Sequence, residues 1–483
     1  MAIPRPIRAL VDLVTIAAIS LNFFIYFYPD ILNAPDQCNW AHAAPHFAKY
    51  PILNKIPQQY LQPLLLNIPE LRQEPEPSPH EIHMLLFGDP QINGNWPSTP
   101  YIKRLDNYGN DHYLGHIYSV MSRRLRPSHV AVMGDLFSSQ WILDSEFYNR
   151  TLRYVERLFP RSAEQKANVV ETHARHESYD WHRWLEQEMQ LDPMERFTSR
   201  VYEDVYDWVD RDRKTANLDN PVFINLTGNH DIGYSGDATW QHMARFHHLF
   251  GQNNYVVNYA RGTAHEWRLV VLDSLTLEGP ALQSEFLNFT WSFLDHLEKF
   301  ENPKFQGATV LLTHIPMYKR AGLCRDGPEH LYYVDNQREP YKNGLLRSHN
   351  HLSDNTTQRV MNAVFPNSDQ PGVILTGHDH EGCDDWYNFE QGRWVASKNR
   401  KEEKDDDDDG SSRQSVREVV VRSMMGDFDG QTGILTGLFE HGRWQFDFTY
   451  CSFTVQHWWW ASKVVLAIAI FLQSVVRLSS IWA

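Results

Sequence analysis

Five short polar clusters in the sequence contain residue types that bind metal ions. They are GDPQ (88–91), GDLF (134–137), GNHD (228–231), THIP (313–316) and GHDH (377–380). Each follows a short apolar run that predicts a strand, and ligand-binding groups collect at the carboxyl ends of such strands. Five strands that point the same way would therefore bring one set of side chains to a common rim. The set is Asp89, Asp135, Asn229, His230, His314, His378 and His380.

These side chains suit a dinuclear metal centre that hydrolyses a phosphoester. Carboxylate, amide oxygen and neutral imidazole are ligands for Mn, Fe or Zn, and the clusters contain no thiolate. Two cations about 3.5–4 Å apart would bind phosphoryl oxygens and lower the pKa of a water between them. A single His or Gly-Asp pair after a strand is usually a loop residue or a turn. Five such clusters in this order favour a shared centre.

The apolar runs predict an α/β fold with two packed mixed sheets and helices outside them. The runs before residue 380 are near-continuous, as in sheets covered on their faces. They are IHMLLF (82–87), HVAVM (129–133), VFINL (222–226), RLVVLD (268–273), ATVLLT (308–313) and GVILT (372–376). After residue 415 the runs VREVVVRSMM, TGILTGLFE and RWQFDFTY follow closely and predict an antiparallel set.

Two long apolar segments predict membrane anchors at the ends of the chain. Residues 9–28 are mostly apolar and follow Arg5 and Arg8, a flank that tends to stay cytosolic. Residues 458–476 begin with three Trp, which suit a membrane interface. If both segments span, residues 1–30 are a cytosolic tip with its anchor and residues 477–483 are a cytosolic tail. A cleaved signal peptide is the alternative for the first segment, and an interfacial helix for the second.

Composition divides the chain between these anchors. We expect a Pro-rich lumenal linker over 31–80, a single domain over 81–457, a helical insertion at 140–220 and a disordered acidic loop at 397–415. The net charge of −15 at pH 7 argues against nucleic acid as substrate or partner. The four cysteines form no CxxC pair, so no structural zinc site is expected.

The ordered set GD…GD…GNHD…H…GHDH resembles the calcineurin-like metallophosphoesterases over roughly residues 81–450. The resemblance implies a four-layer α/β/β/α sandwich and a role for each cluster residue. Asp89 and His380 would bind the first metal, Asp135 would bridge, and the second metal would take Asn229, His314 and His378. His230 would protonate the leaving group, with Asp231 holding its imidazole.

The first motif departs from this family. It is Asp89-Pro90-Gln91, where the family usually has Asp-x-His. An amide oxygen is a weaker ligand than imidazole for a transition metal, so the first site would bind loosely or prefer a harder ion such as Mn²⁺. Whether Gln91 ligates metal stays open. The cofactors implied are two divalent ions, Mn²⁺ first, with Zn²⁺ or Fe as alternatives.

Further segments are similar to the lumenal phosphodiesterases that remodel glycosylphosphatidylinositol (GPI) anchors, and to the fungal endoplasmic-reticulum form in particular. They are RLDNYGNDHYLGHIY (104–118), HIPMYKRAGLC (314–324), GHDHEGC (377–383) and SMMGDFDGQTG (423–433). This resemblance implies removal of ethanolamine phosphate from the second mannose of the anchor glycan, and help in exporting GPI-anchored cargo with p24 receptors. It also implies an endoplasmic-reticulum membrane protein with a lumenal catalytic domain and both termini cytosolic.

The same branch suggests a disulfide between Cys324 and Cys383, with two unrelated buried thiols as the alternative; Cys38 and Cys451 stay unassigned. Four glycosylation sequons are present, at Asn149, Asn225, Asn288 and Asn355, and the one at Asn225 falls in an expected core strand. Two other functions remain open. One is a different lumenal phosphoesterase, acting on monoesters or phospholipids, and the other is a catalytically silent cargo-sorting adaptor.

Overall fold

The computed structural model describes residues 4–34, 37–41, 81–198, 221–366, 370–400 and 415–481. Most of the expected linker and acidic loop, and the end of the expected insertion, lie outside these ranges. The strands are β1 (Glu81–Phe87), β2 (His129–Val132), β3 (Val222–Asn225), β4 (Tyr255–Tyr259), β5 (Trp267–Leu272), β6 (Ala308–Thr313), β7 (His330–Tyr332), β8 (Leu346–His349), β9 (Gly372–Thr376), β10 (Cys383–Glu390), β11 (Arg393–Ser397), β12 (Ser415–Val420), β13 (Thr432–Glu440) and β14 (Arg443–Cys451).

The α-helices of the described ranges, renumbered in chain order, surround these strands. They are α1 (Arg5–Leu32), α2 (Tyr101–Leu125), α3 (Asp144–Arg153), α4 (Ala163–Arg175), α5 (Trp181–Met189), α6 (Pro193–Arg196), α7 (Asn229–Ile232), α8 (Trp240–Phe250), α9 (Ser284–His296), α10 (Asp354–Val364) and α11 (Gln456–Ile481). Helices α3 to α6 occupy the described part of the segment expected to be a helical insertion.

The strands form two main sheets with parallel centres. One has the order β14-β13-β1-β2-β3, and the other β11-β10-β12-β9-β6-β5-β4. Strands β1, β2 and β3 are mutually parallel, as are β5, β6, β9 and β12. The expected antiparallel set after residue 415 is correct for β13 and β14 but wrong for β12, which lies in the other sheet beside β9. A continuous apolar run indicates a strand that is covered on both faces. It does not indicate which of the two sheets the strand joins.

Alternation along the strands gives each sheet an inner and an outer apolar face. The core shared by the two sheets contains, among others, Met84, Leu86, Leu269, Val271, Val310 and Leu312. The core between the opposite faces and the helices contains, among others, Leu85, Phe87, Leu114, Ile117, Val270, Leu272 and Val360. Because both faces of the central strands are covered, apolar residues predominate in them before their carboxyl ends, with His83, His129 and Arg268 among the exceptions.

The two terminal helices α1 and α11 are each long and apolar enough to cross a membrane. They lie against each other through polar contacts. Gln473 donates to Thr15 Oγ1 at 3.0 Å, and Asn22 donates to the carbonyl of Ser462 at 3.4 Å. Helix α11 extends beyond the expected 458–476 at both ends.

The chain segments next to these helices are fixed to the domain. A disulfide joins Cys38 to Cys451, the two cysteines that sequence reasoning left unassigned. Asn33 makes two hydrogen bonds with the backbone of Ser452, at 3.0 and 3.1 Å. The Arg124 guanidinium of α2 lies 2.7 Å from the Asp30 carboxylate. The domain is therefore attached to the terminal helices by a covalent and polar joint.

Candidate metal centre

The five polar clusters follow β1, β2, β3, β6 and β9, and hydrogen bonds tie their loops together. The Gln91 amide donates to the carbonyl of Asp135 at 2.9 Å, and that of Gly377 donates to the carbonyl of His314 at 3.0 Å. Strained backbone marks the same positions. Asp89, Gln91, Asp135 and His378 have φ values of 40°, 42°, 49° and 73°. Non-glycine residues rarely adopt this region, and such strain concentrates at functional sites.

A glycine precedes the Asn of the third cluster because two loops touch there. A Cβ on Gly228 would overlap the backbone nitrogen of Asp135. Removing the side chain lets the loop after β3 lie directly on the loop after β2. The Asp135 carboxylate then accepts the backbone N–H of His230 at 2.8 Å.

His314, Asn229 and His378 meet as expected for a second metal site. The imidazole of His314 donates from Nδ1 to the carbonyl of Met133 at 2.7 Å, so its Nε2 carries a lone pair. That lone pair faces Asn229 Oδ1 at 3.1 Å, and His378 Nδ1 lies 3.0 Å from the same oxygen. A lone pair directed at an amide oxygen is unfavourable by itself. A cation between them would satisfy both atoms.

Asp89, Asp135 and His380 meet on the other side of the centre, each with one ligand atom within 4.8 Å of the others. Asp89 is fully buried. Its Oδ2 accepts the backbone N–H of His378 at 3.1 Å, whereas its Oδ1 has no hydrogen-bond partner among the described residues. A buried carboxylate oxygen without a donor is costly unless a cation binds it. The donor set therefore fits a metal site.

Gln91 lies between two of these groups. Its side-chain Nε2 is 3.0 Å from Asp135 Oδ2 and 3.2 Å from His380 Nε2. The assignment of nitrogen and oxygen in a side-chain amide follows from its neighbours. Beside a cation the same amide would offer its oxygen, because the carboxylate and imidazole would then both point to the metal. Its position is right for a ligand, and ligation itself stays a prediction.

Burial sets the electrostatics of the centre. Desolvation, and then the charge of Asp135, raise the pKa of Asp89 well above its ordinary value. Desolvation also lowers the pKa of His378 well below its usual range and lowers the pKa of His314. The imidazoles are therefore neutral, as metal ligands must be. Divalent cations would hold both carboxylates in the anionic form.

The structure gives Asp231 a different role from the one expected. We expected its carboxylate to orient the imidazole of His230. Instead, it accepts the backbone N–H groups of Leu136 (3.1 Å), Phe137 (3.1 Å) and Gly228 (2.9 Å). Three backbone donors occupy the buried carboxylate because the loop after β2 turns sharply around it. Asp231 therefore joins the loop of Asp135 to the loop of Asn229.

His230 occupies the accessible side of the centre. Its side chain is 38% exposed, and its Nε2 lies 3.7 Å from Asp135 Oδ2. The expected ligands Asp89, Asp135 and His314 are by contrast almost completely buried. An imidazole beside the Asp135 carboxylate and open to solvent can reach a substrate oxygen.

Sequence reasoning missed two residues at the centre. Ser423 donates its hydroxyl to the carbonyl of Asp89 at 3.2 Å and its backbone N–H to the carbonyl of His380 at 3.1 Å. Asp379 is buried and lies in the chain between His378 and His380, and burial raises its pKa to about 6. Ser423 belongs to the segment 423–433, which resembles the phosphodiesterases that remodel GPI anchors, but no sequence pattern indicates that its hydroxyl contacts the centre. Asp379 lies inside the GHDH motif and could have been singled out.

The expected disulfide between Cys324 and Cys383 is present. It joins the loop that follows His314 to the start of β10, three residues after His380. The bond therefore holds together two loops at the same rim of the sheet.

No protein-family model matches the chain. The chain is 44% identical over 485 residues to Protein TED1 of Saccharomyces cerevisiae, covering 95% of this chain and 96% of that protein. It is 25% identical over 353 residues to an uncharacterized protein of Schizosaccharomyces pombe, covering 67% and 68% of the two chains. Metallophosphoesterase 1 of Xenopus laevis is 25% identical over 182 residues, covering 33% and 42%. The resemblance to metallophosphoesterases is confirmed.

Proposed function

Because the chain belongs to the family of Protein TED1, we propose that it is a dinuclear-metal phosphodiesterase of the endoplasmic-reticulum lumen. Its substrate is the GPI-anchor glycan, from which it removes ethanolamine phosphate on the second mannose. One observation carries the hydrolase assignment. Loops from five strands in two sheets bring carboxylate, amide and imidazole donors to one rim, with a buried Asp89 oxygen that lacks a donor. The layering of sheets and helices supports a four-layer α/β/β/α sandwich.

The residues divide into two ligand groups that share Asp135. Asp89, Gln91 and His380 would hold the first ion, and Asn229, His314 and His378 would hold the second. When bound, two divalent ions, Mn²⁺ in the first instance, supply Lewis-acid stabilisation and a water of lowered pKa. The Nδ1–H of His314 is donated to the carbonyl of Met133, which leaves Nε2 available as the ligand atom and supports this role.

Proton transfer to the leaving group falls to His230. The imidazolium donates from Nε2 to the alcohol oxygen that leaves phosphorus. The carboxylate of Asp135 lies 3.7 Å from that nitrogen, on the accessible side of the centre. Asp231 takes no part in the transfer and keeps the two ligand loops in place.

Disulfide chemistry supports the lumenal location. All four cysteines are paired, and such bonds persist in oxidising compartments. With Arg5 and Arg8 at the cytosolic side, both terminal helices span the membrane and both chain ends are cytosolic. Asn288 and Asn355 are exposed and available for glycans, whereas Asn225 is 9% exposed and remains unmodified.

A glycan measurement tests the substrate. After deletion of the gene, mass spectrometry of anchor glycans should show one additional ethanolamine phosphate on the second mannose, and GPI-anchored cargo should leave the endoplasmic reticulum more slowly. Crosslinking to p24 receptors tests the partnership in export. Unchanged anchor glycans would contradict the proposed substrate but would not affect the assignment of the protein as a hydrolase.

A biochemical measurement tests the reaction class. The purified full chain should contain two metal ions and cleave bis-p-nitrophenyl phosphate better than p-nitrophenyl phosphate. His314→Ala should lose metal and activity, while His441→Ala, on the exposed turn between β13 and β14, should keep both. A preference for the monoester would identify a phosphomonoesterase. Fewer than two ions without hydrolysis would identify a silent adaptor.

A further inference from the structure

Helix α2 carries one stripe of residues that leads from solvent to the terminal helices. Positions 102, 105, 109, 112 and 116 recur at intervals of three and four residues, so they lie on one face. At the far end of this stripe, His116 Nε2 donates to the carbonyl of Ile25 in α1 at 3.1 Å. Its ring centroid lies 4.7 Å from that of Tyr26. This end of the stripe packs on the first terminal helix.

The middle of the stripe packs on the start of the second terminal helix. A Cβ on Gly109 would overlap the indole of Trp460, so the helix backbone lies directly against that ring. One turn further, the ring of His112 stacks on that of Trp459 with centroids 6.3 Å apart. The stripe therefore crosses Trp459 and Trp460, two of the three Trp residues at the beginning of α11.

The amino-terminal end of the stripe is exposed to solvent. Ile102 is 81% exposed and Leu105 is 44% exposed, and the adjoining Tyr101 is 78% exposed. Trp96, in the loop that precedes the helix, is 47% exposed. Arg104 donates to the carbonyls of Trp96 and Thr99 and so holds this loop against the first turn of α2. Together these four apolar side chains form one exposed patch.

We infer that this patch lies in the interfacial layer of the lumenal leaflet, next to α11. The patch continues the face of α2 that contacts Trp459 and Trp460, and these two rings suit the membrane interface. A helix that continues past these rings along the bilayer surface meets lipid where the terminal helices end. Aromatic and aliphatic side chains are those that enter this layer. The inference rests on the proposed membrane placement of α1 and α11.

The patch is coupled to the metal centre. Asn107 of α2 donates to the carbonyl of Gly94 at 2.9 Å and to Asn95 Oδ1 at 2.8 Å. This loop leads back to Gln91 and Asp89 through Ile92, whose amide donates to the carbonyl of Leu136 at 3.0 Å. A bilayer contact along α2 therefore sets the height of the metal centre above the leaflet. The centre is held where the head group of a lipid-anchored substrate can reach it.

Spin labelling of the full chain in phosphatidylcholine nanodiscs tests the inference. All four native cysteines are in disulfides, so one introduced cysteine is the single free thiol. Nitroxides are placed by Ile102→Cys and Leu105→Cys. Ile468→Cys on an exposed face of α11 is the lipid reference, and Val334→Cys, 76% exposed between β7 and β8, is the aqueous reference. Collision with O₂ and with a water-soluble Ni²⁺ chelate is measured at each site.

Labels at 102 and 105 should collide more with O₂ than with the chelate, like the label at 468, and the order should reverse at 334. Chelate access at 102 and 105 equal to that at 334 would overturn the inference. Exclusion of both reagents from 102 and 105 would also overturn it, since a second protein copy would then cover the patch. An aqueous signal at 468 would instead refute the proposed membrane placement.

Discussion

Replacement of Asp231 by Asn would separate a role in structure from a role in catalysis. The buried carboxylate accepts three backbone N–H groups, two on Oδ2 and one on Oδ1. An Asn side chain can keep one oxygen in place, but its NH₂ would then face the N–H of Phe137. One buried donor loses its acceptor, and two charge-assisted hydrogen bonds become neutral. We expect the free energy of unfolding to fall by about 3–5 kcal/mol.

This loss corresponds to a fall in Tm of about 4–6 °C, because the entropy of unfolding of a domain of this size is about 0.8 kcal/mol/K. Thermal melts of the full chain, followed by intrinsic Trp fluorescence, measure it. Metal content should fall together with Tm, because Asp231 joins the loops of Asp135 and Asn229. Asp180→Asn is the matched control. Asp180 is exposed and accepts the N–H of Arg183 at 2.9 Å as a helix N-cap, where Asn serves equally well.

A different outcome would restore the original expectation for Asp231. If Asp231→Asn kept its Tm and its metal content but lowered kcat, the carboxylate would be acting on the reaction. A change in the acid limb of the pH–rate profile would then assign that action to the imidazole of His230. The structural reasoning from the three backbone amides would be refuted.

Three other perturbations give distinct outcomes. His230→Ala should lower turnover by about 10²–10⁴-fold with both metal ions retained, and equal loss of metal and turnover would identify His230 as a ligand. Gln91→His should bind Zn²⁺ more tightly in chelator competition, and unchanged affinity would show that this side chain does not reach the first ion. Burial raises the pKa of Asp273 to about 6 from an ordinary 3.8, so the folded state holds that proton more tightly. Its contribution to stability is present below about pH 4 and lost as pH rises through 6. Asp273→Asn should remove this part of the pH dependence of unfolding, and an unaltered dependence would contradict the assignment.

The carboxyl ends of the strands could be predicted because the polar clusters interrupt apolar runs sharply. The runs 308–313 and 372–376 coincide with β6 and β9. Strands β4, β10 and β11 were not predicted, since their polar residues, such as Asp384 and Asp385 in β10, weaken the apolar pattern. Edge and near-edge strands of this kind are defined by their pairing partners rather than by their own sequence.

The side chains that meet at the centre could be predicted from residue type, but the hydrogen bonds around them could not. Asp231 follows His230 directly, and the sequence offered the imidazole as the nearest partner. The backbone amides of Leu136 and Phe137 approach from a loop nearly a hundred residues away, and no sequence pattern indicates them. The pairing of Cys38 with Cys451 was hidden for the same reason.

The paired terminal helices have a consequence for the order of biosynthesis. Asn22 and Ser462, which meet between these helices, are 440 residues apart in the chain. At about 5–20 residues per second, a ribosome needs about 20–90 s to make that stretch. During this interval Thr15 and Asn22 have no partner helix. Cys38 remains a free thiol until its partner Cys451 is synthesised. A chain that stops before α11 would leave the first helix with polar groups facing lipid. The disulfide of the joint between domain and anchor can thus form only after Cys451 has been synthesised, and a chain truncated before that residue would keep Cys38 as an unpaired thiol.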